Sequence, residues 1–255
     1  MYKIVTHPGS AHKDDFLAVC VLLATLKDVE VFRREPTAAD LDDLDTYVVD
    51  VGFECAPERH NFDHHHNHSL PCAFHLVMQH LGHPASAMTM FGWYPHMSMM
   101  DVRGPYRTAE HLGVDSSVLF ATSSPIDGYI ISTFGNVDSL RPGDALFKLM
   151  KSLGKDMISL IERKAKRLER LKEEARVLPV KHLKVVLSEK TNSRKLAIEL
   201  YLRSLDDESI VIRSTPSTQG EARELILIDD NVIDDFLFIE VVPYILFVHD
   251  RGLFS

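Results

Sequence analysis

Residues 1–26 set the tightest constraint on how this chain can fold. KIVTH is a short apolar stretch that ends in a polar residue, PGSAHKDD is a loop rich in turn formers and charge, and FLAVCVLLATL is a continuous apolar run. Read in that order they form a strand-loop-helix unit, and a helix this apolar has to be buried. VEVFRR and TYVVDVG supply two further strands rich in Val and aromatic residues, and the acidic AADLDDL between them reads as a short exposed helix. This alternation predicts an α/β fold with a mostly parallel sheet and flanking helices. In such sheets ligands bind beyond the carboxyl ends of the strands. His7, Asp50 and the histidines after Phe62 are all expected there.

The rest of the chain carries different signals. From Pro71 to about Phe134 the sequence reads as helical and rich in Met and aromatics, punctuated by Pro84, Pro95, Pro105 and Pro125. A long amphipathic stretch follows, in which Leu146, Leu149, Leu153, Met157, Leu160, Leu168 and Leu171 recur at steps suited to one helix face. That face serves either packing within the chain or a homodimer. LKVVLS, RKLAIELYLRSL, SIVIRS, ELILID and YILFVHD then alternate strand and helix signals. The predicted layout is a first domain over residues 1–140, a linking helix over 141–180 and a smaller α/β domain over 181–255.

Composition narrows the function. With 45% hydrophobic and 25% charged residues the 255-residue chain is of globular type. No apolar run approaches a membrane span and the polar start has no signal-peptide character, so a soluble, cytoplasmic protein is expected, without a membrane partner. Cys20, Cys55 and Cys72 are odd in number and unclustered, which suggests buried thiols rather than disulfides or a thiolate zinc site. A net charge of −9 disfavours a broad electrostatic grip on long nucleic acid and leaves small anionic substrates open. Nine of the fourteen histidines fall between His60 and His96.

The chemistry-bearing residues converge on metal binding. Two hard cations about 3.5–4 Å apart require a bridging carboxylate, terminal Asp or His ligands, and open positions for water and substrate. His7 at a strand end, with His12 and Asp14 in the following loop or first helical turn, can face one point. Asp50 ends an apolar strand, which suits a buried bridging carboxylate. FDHHH adds Asp63, His64 and His65, and Asp101 in MMDVRGPY adds one more carboxylate.

THPGSAHKDD, VVDVG, PERHNFDHHH and MMDVRGP, in this order, resemble the successive motifs of the DHH phosphoesterase superfamily, in its melanocyte-proliferating-gene branch of metal-dependent hydrolases. The resemblance covers roughly residues 4 to 105 and implies a DHH-type catalytic first domain. It implies that His7, His12 and Asp50 hold one divalent cation and that Asp14, Asp50, His64 and Asp101 hold a second. His65 would face the substrate phosphate, and Asp63 would orient a ligand imidazole. His12 stands where the wider superfamily usually has Asp. Imidazole and carboxylate ligands without thiolate favour Mn²⁺, with Mg²⁺, Fe²⁺, Co²⁺ or Zn²⁺ as alternatives.

On this reading a water between two dications attacks phosphorus in line, with no protein nucleophile. Arg103 and Arg107 are candidates to grip phosphoryl oxygens. FVHDRG resembles the family's closing motif, with His249, Arg251 and Gly252 as substrate-binding candidates in a C-terminal recognition domain. The expected activity is that of a two-metal phosphoesterase on a phosphodiester, a short oligonucleotide or other nuclease-type substrate. An inorganic pyrophosphatase or nucleotide phosphatase is the alternative within enzymes, and a non-catalytic metal-binding protein the alternative outside them. Beside the motifs, His66 and His68 read as a solvated loop, Asp15 as a helix-start carboxylate, and Arg33 and Arg34 as decoration of a strand end.

Overall fold

The computed structural model describes residues 1–83, 91, 93–121 and 124–174, together with strands 176–180, 183–188, 209–213 and 224–226. The chain divides into two compact units, residues 1–162 and 163–255. Among the described residues no helix is long and apolar enough to cross a membrane.

The first unit opens as its sequence predicts, with β1 (Tyr2–Thr6), α1 (Lys13–Thr25), β2 (Val29–Arg33), α2 (Ala38–Asp42) and β3 (Thr46–Val49). Two-residue strands β4 (Cys55–Ala56) and β5 (Asn61–Phe62) flank a 3-10 turn at Pro57–Arg59. Helices α3 (Ala73–His80), α4 (Tyr94–Leu112), α5 (Ser116–Ala121) and α6 (Pro125–Gly135) follow, then β6 (Ser139–Leu140) and α7 (Ala145–Glu174).

The strand order is β4-β5-β3-β1-β2-β6. The inner pairings β1–β2, β1–β3 and β3–β5 are parallel, whereas β4–β5 and β2–β6 at the two edges are antiparallel. The sheet is therefore mixed, which corrects the mostly parallel expectation at its edges. A crossover connection is what lets neighbours run parallel, and the short turn between β4 and β5 can only return the chain antiparallel.

Connectivity reverses at β1, because the chain passes through α1 to β2 on one side and then through α2 to β3 on the other. Beside such a switch point the carboxyl ends of the strands border an open crevice. Register fixes what lines it. Thr6 lies opposite both Arg33 and Val49, and Val49 lies opposite Phe62, so the next residues, His7, Asp50 and Asp63, leave the sheet at one level.

Beneath that level lies the core. Ile4, Val5, Val48 and Val49 are fully buried, and Leu41 of α2 packs on Val5, Val48 and Val51. Helix α1 is buried from Ala18 to Leu23, as its apolar composition requires. Phe16 on its first turn meets Phe134 of α6 edge-on at 5.6 Å.

In the second unit the described strands are β7 (Arg176–Val180), β8 (Leu183–Ser188), β9 (Ser209–Arg213) and β10 (Glu224–Ile226). They form a sheet in the order β10-β9-β8-β7, with β8–β9 parallel and the other pairs antiparallel. LKVVLS, SIVIRS and ELILID supply three of these strands, and β7 was not anticipated. RKLAIELYLRSL and YILFVHD lie outside the described residues.

The approach of α7 to α1 depends on one glycine. A Cβ on Gly154 would stand 1.9 Å from the carbonyl oxygen of Cys20, so any side chain there displaces backbone. Gly154→Ala is expected to lower stability by about 1–3 kcal/mol or more through overpacking. Gly128, inside α6 with open space around it, is the control, since Ala there should raise stability by about 0.5–1 kcal/mol. Urea denaturation of the two variants should give midpoint shifts of opposite sign.

Helix α2 starts from a reciprocal cap. Thr37 Oγ1 accepts from the Asp40 N–H at 3.2 Å, and Asp40 Oδ2 accepts from the Thr37 N–H and hydroxyl at 2.7 Å each. Arg34 adds two more donors, Nη1 to Oδ2 at 2.7 Å and Nη2 to Oδ1 at 3.0 Å. The Arg34 guanidinium, seconded by Thr37, holds the Asp40 carboxyl well below the usual carboxylate range. Since the folded state binds this proton less readily than the unfolded state, the stabilisation is complete above about pH 4 and fades as pH falls toward the folded value. Denaturation midpoints of the native chain and Asp40→Asn should accordingly differ at pH 6 and converge as the pH is lowered to 3.

Candidate metal centre

Backbone geometry at the ends of β1, β3 and β5 gathers the polar residues. Asp50, the residue after β3, is 2% exposed and adopts φ +59°, a left-handed conformation that Asp and Asn tolerate better than other side chains. Its N–H still reaches the Phe62 carbonyl at 3.0 Å, so the turn costs no ladder bond. His7 donates Nδ1–H to the Pro8 carbonyl at 2.9 Å, which leaves Nε2 as the acceptor nitrogen. That Nε2 lies 3.6 Å from Asp50 Oδ2 and 3.4 Å from Asp15 Oδ2. His64, 3% exposed, places Nε2 3.2 Å from Asp50 Oδ1 and 3.0 Å from Asp101 Oδ2. Asp101 comes from α4, and Asp14 from the first turn of α1, where it also accepts the N–H groups of Ala73 and Phe74 at the start of α3, at 2.8 Å each.

Three groups of side chains have ligand atoms within 4.8 Å of one another: His7, His12 and Asp50; Asp50, His64 and His65; and Asp14, Asp50, His64 and Asp101. Asp50 is common to all three. The structure thus brings together the six residues read from sequence as ligands. His12, at the N-cap of α1, is the exposed one, with its ring 5.5 Å from that of His7.

Several of the buried polar atoms here have no hydrogen-bond partner among the described residues: His7 Nε2, Asp15 Oδ2, Asp50 Oδ1, and both ring nitrogens of His64. Buried polar atoms are nearly always satisfied, so a cluster of orphans, made of the donor types that hard and borderline cations prefer, fits a metal site. The charges agree. Burial, then the neighbouring Asp101 and Asp50, push the Asp14 carboxyl well above its usual range. Burial and Asp50 push Asp15 up to about 7. For His64, burial opposes protonation, but the carboxylates of Asp101, Asp50 and Asp14 prevail and push its pKa up to about 10. These carboxylates crowd one another, and a cation is what would relieve them.

Asp63 is bound to His65 rather than to His64. Its Oδ1 accepts from the His65 N–H at 3.0 Å and pairs with His65 Nδ1 at 2.6 Å, while Oδ2 accepts from the Phe53 N–H at 2.7 Å. Burial would raise the Asp63 pKa, but these bonds together hold it below the usual carboxylate range. With Nδ1 engaged, the half-exposed His65 ring stacks at 4.6 Å on that of His64. The five histidines of HNFDHHHNH therefore divide. His60 stacks on Tyr47 at 4.1 Å, His64 and His65 stand at the site, and His66 and His68 are exposed, as their loop position suggested.

Arg103 and Arg107 are exposed on α4, on either side of a break at Gly104, whose φ of +78° interrupts the helix. Neither makes an ion pair among the described residues. His249, Arg251 and Gly252 lie outside the described residues.

Two residues were underestimated from sequence. Arg33 is 4% exposed, not surface decoration. Its Nη2 donates to the His7 and Gly9 carbonyls at 2.8 and 3.1 Å, its Nη1 to the Phe134 carbonyl at 2.8 Å, and its guanidinium carbon sits 4.5 Å above the Phe134 ring. Asp15, read as a helix-start carboxylate, does accept the His12 N–H at 2.7 Å, yet it is fully buried and lies 3.7 Å from Arg33 as well as beside His7. Together they fix the loop that carries His7 and His12.

Fold and donor set define an α/β domain with His and Asp groups able to bind metal ions. Residues 3–79 match the family model MYG1_exonuc, described as Uncharacterised protein family (UPF0160). The proteins called MYG1 exonuclease in Rattus norvegicus and Homo sapiens are each 45% identical over 67 residues, 25% of this chain, and the one in Bos taurus is 43% identical over the same length. The chain aligns with only 16% of the length of the rat and bovine proteins and 17% of the human one. The melanocyte-proliferating-gene resemblance is thus borne out over the segment that holds His7 to His68, and MMDVRGP with Asp101 lies beyond the matched residues.

Replacing Arg33 by Met would strip the His7, Gly9 and Phe134 carbonyls of their donor and leave Asp15 buried beside no cation. Breaking a buried pair from one side typically costs about 3–5 kcal/mol. Equilibrium denaturation should show a loss of that size for Arg33→Met, with part of it recovered in the double variant Arg33→Met/Asp15→Asn.

Proposed function

We propose that this chain is a two-metal phosphoesterase that hydrolyses a phosphodiester of the short-oligonucleotide or nuclease type. The observation that carries the reading is Asp50, the carboxylate shared by all three metal-competent groups of side chains among the described residues. His7, His12 and Asp50 would hold one divalent cation and Asp14, Asp50, His64 and Asp101 the other, with Mn²⁺ the best suited to this mixed donor set. When bound, such a pair would supply Lewis acidity toward phosphoryl oxygens and lower the pKa of a bound water. The exonuclease names of the relatives agree with this chemistry.

The protein's own residues have separate tasks. His65, oriented by Asp63 through Nδ1, presents its remaining nitrogen to the substrate phosphate. Arg103 and Arg107, free of carboxylate partners among the described residues, are the guanidiniums available to phosphoryl oxygens, for which their planar fork is suited. Residues 1–140 act as the catalytic domain, α7 within the expected 141–180 link as the connecting helix, with 176–180 instead forming strand β7, and 181–255 as a substrate-recognition domain in which His249, Arg251 and Gly252 contact the substrate. The net charge of −9 favours small anionic substrates over long strands, and keeps cleavage of pyrophosphate or a nucleotide monoester as the second reading.

Asp50→Ala provides the decisive variant. Titration calorimetry should record two Mn²⁺ per native chain and loss of both in Asp50→Ala, with hydrolysis of a labelled short RNA falling by at least about 10³-fold, several kcal/mol of transition-state stabilisation. Cleavage of pyrophosphate but not of RNA would select the second reading. Bound metal with no hydrolysis of either, nor of a model phosphodiester, would make the chain a non-catalytic metal binder.

A further inference from the structure

Phe53 is out of place by every structural criterion. Its side chain is 73% exposed, so burial does not hold it there. Its φ of +55° lies in the left-handed region that bulky side chains avoid. It follows Gly52, itself at φ +99° and hemmed by Leu41, Pro36 and Val48, so the chain has turned tightly off β3 to present the next residue to solvent. Neither packing nor local conformation favours phenylalanine at this position.

What does distinguish the position is its tether. Asp63, 1% exposed, accepts the Phe53 N–H with one oxygen and both the His65 N–H and Nδ1 with the other. A single carboxylate thus ties the backbone of Phe53 to the backbone and ring of His65, and the two rings stand with centroids 6.4 Å apart and planes tilted by 57°. The inner ring, His65, stacks on His64 and stands 3.7 Å from Asp50 Oδ1. The outer ring, Phe53, therefore offers an open aromatic face one side chain away from the donor set.

From this juxtaposition we infer that Phe53 is a stacking platform for the nucleobase of a substrate whose phosphate lies at the metal centre. The inference rests on the phosphoesterase reading and sharpens it. Inorganic pyrophosphate has nothing to place on an aromatic face, whereas an unpaired nucleotide does. Stacking accepts any base, because every base has a π-face, so the platform selects nucleotides without selecting sequence.

The test uses the full chain loaded with Mn²⁺ and compares the native protein with Phe53→Gly and Phe53→Trp. Titration calorimetry measures Kd for adenosine 5′-monophosphate and for inorganic phosphate, and thermal melting measures stability. Loss of one base stack should weaken adenosine 5′-monophosphate binding by about tenfold in Phe53→Gly. Phosphate affinity should stay within about twofold and the melting temperature should hold or rise, because Gly accepts a positive φ without strain. Phe53→Trp should keep the native affinity for adenosine 5′-monophosphate. The inference is overturned if the Gly variant binds the nucleotide as well as the native chain does, or if nucleotide and phosphate affinities fall together. A native protein that binds phosphate as tightly as the nucleotide overturns the platform and leaves the phosphoesterase reading standing. One that holds Mn²⁺ yet binds neither ligand removes both.

Discussion

The constraint on which the first unit depends is electrostatic. Asp14, Asp15 and Asp50 are buried around a common point, with Asp101 only slightly exposed beside them, and isolated ionised carboxylates are expensive to desolvate. The fold meets that cost piecemeal. Asp15 faces the buried Arg33, Asp14 takes two N–H groups from the start of α3, and Asp50 and Asp101 share His64. These partners are too few, which is why proton affinities at Asp14 and Asp15 rise and why orphaned acceptors remain on Asp15 and Asp50. Hydrophobic burial beneath the site, from Ile4, Val5, Val48 and the length of α1, supplies the stability against which such crowding can be sustained.

Topology explains why the crowding happens there. The reversal of strand order at β1 leaves a crevice between the exits of β1 and β3, and in-register pairing sets the exits of β1, β3 and β5 at one level. His7 and Asp50 then need no long loops to meet. Asp50 completes the meeting by taking a left-handed backbone, a local strain of about 1–2 kcal/mol of the kind that persists where surrounding structure holds it. The hydrogen bond from its N–H to Phe62 is part of that hold.

Much of this was legible because strand ends are legible. An apolar run followed at once by His or Asp marks an exit from the core, and that one signal found His7 after KIVT and Asp50 after TYVV, whereas Asp63 to His65, after the two-residue strand Asn61–Phe62, were read from the FDHHH motif itself. Periodicity needs length, so the two-residue edge strands β4 and β6 carried no signal, and the antiparallel edges were missed with them. Arg33 was misjudged for a different reason. Arg at a strand end usually points to water, and only the three-dimensional return of α6, which brings the Phe134 carbonyl and ring over β2, makes its burial possible. Phe53 was invisible because a lone aromatic in VGFEC has no pattern to break until its φ and exposure are known.

The same acidity that builds the centre limits what can approach it. A chain of net charge −9 repels a polyanion over its surface, so affinity for a phosphoester has to be local. On the reading proposed here, two cations cancel carboxylate charge at one point, and an adjacent aromatic face adds attraction that does not depend on charge and is insensitive to salt. A substrate with one phosphoester at the centre and one unpaired base beside it would gain from both.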